Sequence, residues 1–328
     1  MVKADAYGLG LPRVAPVLAE AGARTFFVAR LAEGVALRQL LPGAEIAVLS
    51  DTVEGYEASY RDHDLLPVLN SVHDVDVWIR VGGGPCVLQI DTGMSRLGLA
   101  ASEWSDVATR LGMLGDVRVL MSHLACADDP GDPLNERQRA TFVEALDVLR
   151  PSGRRSLANS SGIFLGTPYH FDLARPGMAL YGLNPTPGKP NPMQPAVSLR
   201  ARILQVRRVD TKVAVGYGST AFAGPSAKLI TVAIGYADGF HRSLSESGHV
   251  VVDGTHLPIV GRVSMDTIVI DASKTRETLR SGEWVEVLGP GQDADDLARE
   301  AGTIGYEILT SLGRRLRREY RGDRACIA

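Results

Sequence analysis

Short apolar segments rich in β-branched residues recur through the first half of this 328-residue chain, and stretches of helical periodicity separate them. TFFVAR (25–30), EIAVLS (45–50), LLPVLN (65–70), VLQIDTG (87–93) and VRVLMSHLA (117–125) read as strands, mostly apolar throughout rather than alternating. Between them, LPRVAPVLAEAG places Leu11, Val14, Leu18 and Ala21 on one face, carries Pro12 near its start and stops at Gly22. NERQRATFVEALDVLR (135–150) puts Phe142, Leu146 and Leu149 on one face. Strands apolar on both sides that alternate with helices require a parallel sheet, because the crossover helices cover both of its faces. That leaves a doubly wound sheet or a closed barrel. No G-x-G-x-x-G follows an early strand, which counts against the dinucleotide-binding form. Polar residues recur just after strand ends, at Lys3, Asp91 to Arg96, His123, Asn159, Ser160 and Arg175. In a (β/α)8 barrel all such ends meet on one rim, so the expectation is an α/β chain that opens with a (β/α)8 TIM-type barrel over residues 1–183.

The texture then changes. LNPTPGKPNPMQP (183–195) is dense in proline and reads as an extended linker over 184–195. Beyond it, LRARILQVRRV, AKLITVAIGY, HVVVDGTHLPIVGRVSMDTIVIDAS and EWVEVLGP are strand-like runs divided by turns. A mainly β C-terminal domain is expected over 196–328. The Gly-Tyr pairs at 216, 235 and 305 have no constant period and mark no repeat.

A net charge of −3 gives no pull toward nucleic acid or an anionic membrane, so a small-molecule partner is the better expectation. No apolar run reaches the roughly 18 residues of a membrane-spanning helix, and the N-terminus lacks the apolar centre of a secretory signal. Cys86, Cys126 and Cys326 are odd in number and far apart, which fits a reducing compartment and a cytoplasmic location.

The chemistry begins at VKADAYG. A lysine amine forms a Schiff base with an aldehyde, and pyridoxal phosphate is the common aldehyde cofactor held that way. K-x-x-x-Y alone is weak, since most lysines are solvated surface groups. Its company strengthens it. IDTGMSRLG (90–98) presents Arg96, MSHLACADD (121–129) presents His123, LANSSG (157–162) offers small hydroxyl and amide groups, and ARPGMALYG (174–182) sets Arg175 before a Pro-Gly turn. Glycine lets backbone approach a ligand, and successive free N–H groups suit a phosphate. VGYGS (215–219), IGYADGF (234–240) and GRVSMD (261–266) come from the second domain.

Taken together and in this order, these motifs resemble the alanine racemase family of fold-type III pyridoxal phosphate enzymes, over nearly the whole chain. The resemblance implies a pyridoxal 5'-phosphate-dependent isomerase that interconverts L- and D-alanine and supplies D-alanine for peptidoglycan. It implies that Lys3 holds the cofactor through its amine and serves as one base, with Tyr217 the other. Arg175 would face the pyridine nitrogen, and Arg96 the cofactor oxygen and substrate carboxylate. His123 would hydrogen-bond Tyr217. Tyr7, Asn159, Ser160, Gly177, Met178 and Tyr306 would complete the cofactor site. Met265 and Asp266 would border the substrate, and Tyr236 would line its entrance. Tyr217, Met265 and Asp266 would come from the other subunit of a homodimer. An unperturbed tyrosine titrates near about 10, so Tyr217 would need a cationic network running Arg175–His123–Tyr217 beside its oxygen.

Other readings stay in view. A broader amino-acid racemase acting on serine would share these motifs, and an inactive truncated cofactor-binding protein would share the lysine. The remaining histidines read as surface or structural, with no metal-ligand spacing. GGGP (82–85) precedes a strand and reads as a turn, and RRLRREYR (314–321) as a solvated face. Two departures from the family stand out. Gln89 occupies a position where many members carry a carbamylated lysine that orients the arginine; its carbonyl could still accept a hydrogen bond from Arg96. Only Met1 and Val2 precede Lys3, fewer than the roughly five residues of a strand, so a longer natural protein is expected.

Overall fold

The apolar segments of the first half form β1 (Thr25–Val28), β2 (Glu45–Val48), β3 (Leu66–Leu69), β4 (Cys86–Gln89), β5 (Val117–Met121) and β6 (Arg154–Ser156). In this computed structural model, which describes residues 1–276 and 278–322, all are parallel and paired in chain order. Helices α1 (Lys3–Tyr7) and α2 (Leu11–Glu20) precede β1. They are followed by α3 (Leu31–Leu40), α4 (Glu57–Asp62), α5 (Val72–Arg80), α6 (Trp104–Leu114), α7 (Pro133–Leu149) and α8 (Ser160–Phe164). Strand, helix, next strand in order is the barrel progression. The strands are buried on both faces because Phe27, Ala47, Leu66, Val68, Val87, Val119 and Met121 fill one side of the curl while the helices cover the other. Met1 and Leu173 pack against the same cluster.

Both edges of the sheet are continued by short extended pieces. Val2 donates its N–H to Phe27 O at 2.9 Å beside β1. Arg175 donates to Ala158 O at 2.9 Å beyond β6, and Asp172 and Leu173 donate to Arg155 O. Lys3 therefore leaves a buried strand-like residue at one edge, and Arg175 enters from the other.

The second part of the chain is antiparallel. β7 (Leu199–Arg208), β8 (Val213–Val215), β9 (Ala221–Ala223), β10 (Lys228–Val232), β11 (His249–Val252), β12 (Thr255–Pro258), β13 (Ile268–Asp271) and β14 (Trp284–Leu288) precede α9 (Ala294–Ala301) and α10 (Gly305–Ser311). Six of these strands form one sheet in the order β12-β11-β14-β7-β10-β13, and β8 and β9 make a separate hairpin. Val209, Val215, Ala223 and Leu229 tie the hairpin to the sheet. One compact unit takes Met1–Leu180 with Asn184–Pro192, and the other takes Tyr181–Leu183 with the described residues from Met193 onward. The proline-dense stretch thus packs largely with the first unit. Cys86 and Cys126 are free thiols, while Cys326 lies outside the described residues.

Candidate active site

Lys3 sits on an unusual backbone. Ala4, Asp5 and Ala6 have φ near 54° and ψ near 50°, and Tyr7 continues with φ 55°, so α1 is a turn of left-handed helix. Without glycine this conformation costs about 1–2 kcal/mol per residue, and it persists only where surroundings over-determine it. They do. Ala6 N–H reaches Val2 O at 3.0 Å, Gly8 N–H reaches Ala4 O at 2.8 Å, and Asp5 Oδ1 accepts from Leu11 N at 2.7 Å. Glu33 of α3 accepts from Ala4 N at 2.6 Å through Oε1, and from Ala29 N at 2.8 Å and Arg30 N at 3.0 Å through Oε2. The result fixes Lys3 half-buried at the strand end. Burial lowers the pKa of its amine, Arg96 lowers it further, and Glu33 opposes them.

Arg175 is buried in the same unit, and no carboxylate pairs with it among the described residues. Its guanidinium donates to Ser156 Oγ, to Ser122 O and toward His123 Nδ1 at 3.4 Å. Burial brings its pKa down to about 10, still well above neutrality, so the side chain is a buried cation. His123 is held at about 3, first by burial and then by Arg175, Arg96 and Lys3. The imidazole is therefore neutral in this unit. The donation from Arg175 makes Nδ1 the acceptor and leaves the proton on Nε2, so the ring offers an N–H outward while the positive charge stays on arginine.

Arg96 is exposed on a loop whose base is tied down. Asp91 Oδ1 accepts from Gly93 N at 2.9 Å, Met94 N at 2.9 Å and Ser95 N at 3.2 Å. Gln89 contributes through its other end from the one expected, its Nε2 donating to Leu97 O at 3.2 Å rather than its carbonyl accepting from Arg96.

A cradle completes the first unit. Ser160 Oγ accepts from Gly177 N at 2.8 Å and Ala179 N at 3.3 Å, and Met178 is buried between them. A Cβ at Gly177 would lie 2.3 Å from Tyr7 Oη, so only glycine admits the tyrosine there. Asn159 has a supporting part, since its Oδ1 accepts from Gly162 N at 2.8 Å and its Nδ2 donates to Leu124 O at 3.3 Å. A lysine of lowered pKa, a buried cation lacking a carboxylate and a Ser-Gly-Tyr cradle fit an anionic aldehyde such as pyridoxal phosphate. Sequence reading missed Glu33, whose contact with Ala4 spans 29 residues and carries no motif.

In the second unit Tyr217, Tyr236, Met265 and Asp266 border one cavity of about 310 Å³, together with Arg242 and Arg262. Tyr217 follows Gly216 at φ +73° on the turn between β8 and β9, and is 72% exposed. Arg315 bonds Asp266 at 2.7 Å and Asp238 at 3.2 Å, which ties the Tyr236 turn to the Met265 loop. The segment read as a solvated face thus contributes a clamp. Tyr306 stands on α10 and is not among the residues lining that cavity.

Residues 1–185 match the family model "Alanine racemase, N-terminal domain", and residues 196–320 match "Alanine racemase, C-terminal domain". The alanine racemase of Rhodospirillum rubrum is 47% identical over 339 residues, covering 99% of this chain and 89% of that protein. A catabolic alanine racemase of Mesorhizobium japonicum is also 47% identical, covering 98% and 86%. The fold is similar to the crystal structure of alanine racemase from Bartonella henselae with covalently bound pyridoxal phosphate. The TM-score is 0.94 at 40% identity, over 98% of this chain and 91% of that one.

Proposed function

We infer, for a chain that belongs to the alanine racemase family, that it interconverts L- and D-alanine with pyridoxal phosphate as cofactor, and that Lys3 and Tyr217 are its two bases. The left-handed Lys3 turn carries this reading, because it fixes one half-buried amine of lowered pKa among Arg96, His123 and Arg175. Bound here, pyridoxal phosphate supplies an aldehyde for amines and a conjugated ring that withdraws electron density from the substrate Cα.

The residues divide the remaining work. Ser160, Tyr7 and the backbone at Gly177 and Met178 would hold the phosphate. Arg175, a buried cation, would face the ring nitrogen and disfavour its protonation. Arg96 receives the substrate carboxylate, the Lys3 amine takes the α-proton on one face, and the Tyr217 hydroxyl returns one on the other. The neutral His123 ring passes the influence of Arg175 outward through its Nε2–H. Tyr217, Met265 and Asp266 reach this site from a second subunit of a homodimer, a reading supported by the surface exposure of Tyr217 (72%) and Met265 (52%). A cytoplasmic location accords with this chemistry. Purified protein given pyridoxal phosphate should carry either enantiomer of alanine to the same equal mixture on a chiral column, and failure to convert either would refute the assignment.

A further inference from the structure

We propose that Gln138 is a positioning residue that fixes His123 and the Arg96 loop as one unit, an inference that rests on the roles given above to those residues. Gln138 lies on α7, whose buried stripe runs Asn135, Gln138, Phe142, Ala145 and Leu149. Two amides therefore occupy places where an apolar side chain would pack without penalty. A buried amide is unfavourable unless its polar atoms are satisfied. Those of Gln138 are all satisfied: Nε2 donates to His123 O at 2.9 Å and Thr92 Oγ1 at 3.2 Å, and Oε1 accepts from Ala125 N at 2.8 Å.

These partners belong to two different strand ends. Thr92 follows β4 and starts the loop that carries Arg96, whereas His123 and Ala125 follow β5. Thr92 Oγ1 also meets Ser122 Oγ at 2.8 Å, and Ser122 O accepts from Arg175, which itself faces His123 Nδ1. Gln138 thus closes a buried polar ring beneath the groups proposed to hold cofactor and substrate. In such a network one loosened member displaces the others. Asn135 is a built-in control. It is equally buried and on the same face, yet it donates to Cys126 O at 3.2 Å and Asp129 O at 2.8 Å, in the loop beyond the strand end.

The test compares wild type, Gln138→Leu, Gln138→Glu and Asn135→Leu. Pyridoxal phosphate affinity is read by fluorescence titration, the surroundings of the bound cofactor by visible circular dichroism, and folding by thermal unfolding. Both leucine variants should lose stability. Only Gln138→Leu should weaken cofactor binding about tenfold or more and change the visible dichroism, since small misplacements of positioned groups are costly. Gln138→Glu keeps the acceptor for Ala125 but faces the His123 carbonyl with oxygen, so it should behave likewise and serves if the leucine variant does not fold. Gln138 variants that match wild type in both readouts, or an Asn135→Leu that shifts them equally, would overturn the proposal alone. Wild type that takes up no pyridoxal phosphate would overturn the functional reading with it.

Discussion

The Arg175 guanidinium points a nitrogen at His123 Nδ1 from 3.4 Å, so a buried cation faces the ring that must accept from it. Burial first, and then the charge of Arg175, hold the His123 pKa at about 3. An unfolded chain titrates its histidines near about 6.5. Between those values unfolding takes up a proton, so stability is highest above pH 6.5 and falls as the solution is acidified toward pH 3. His123→Gln removes this term. Urea unfolding at pH 7 and pH 5 should show wild type losing more stability than the variant, by at most about 2 kcal/mol.

The left-handed turn predicts an inversion of ordinary preference. Ala4→Gly should raise stability by about 1 kcal/mol, because glycine adopts positive φ without the Cβ clash. Ala4→Val should lower stability by about 1–3 kcal/mol, since a β-branched residue resists this backbone. Thermal unfolding of the two variants should move in opposite directions from wild type.

Much of the first unit was legible in its sequence. Segments such as EIAVLS are apolar on both sides, and only a parallel sheet covered on both faces buries them. Lys3, Arg96, His123 and Arg175 follow strand ends, so their common location came from topology. The left-handed turn was not legible, because in KADAY only Asp5 belongs to the residue types that visit that region readily. Glu33 and Gln138 were hidden for another reason: the contacts that matter, Glu33 with Ala4 N and Gln138 with His123 O and Thr92 Oγ1, join positions far apart in the chain, which leaves no pattern in residue type. The β8–β9 hairpin, with three residues per strand, is too short for periodicity to register.

Gly177 makes room for Tyr7. A Cβ 2.3 Å from the Tyr7 hydroxyl forces that side chain away. Gly177→Ala should therefore leave the overall fold intact by far-ultraviolet circular dichroism while weakening pyridoxal phosphate binding about tenfold or more. Gly177→Ala combined with Tyr7→Phe should recover little of that loss.

If Tyr217 acts on one face of the substrate and Lys3 on the other, Tyr217→Phe should be asymmetric. Deuterium wash-in from heavy water should fail for one enantiomer of alanine and persist for the other. Equal loss for both enantiomers would contradict the division of labour.

The identity of the anchoring lysine tests the account most directly. Protein loaded with pyridoxal phosphate, reduced with borohydride and digested, should carry the added mass on the peptide containing Lys3. A label on Lys189, Lys212, Lys228 or Lys274, or no label at all, would contradict it.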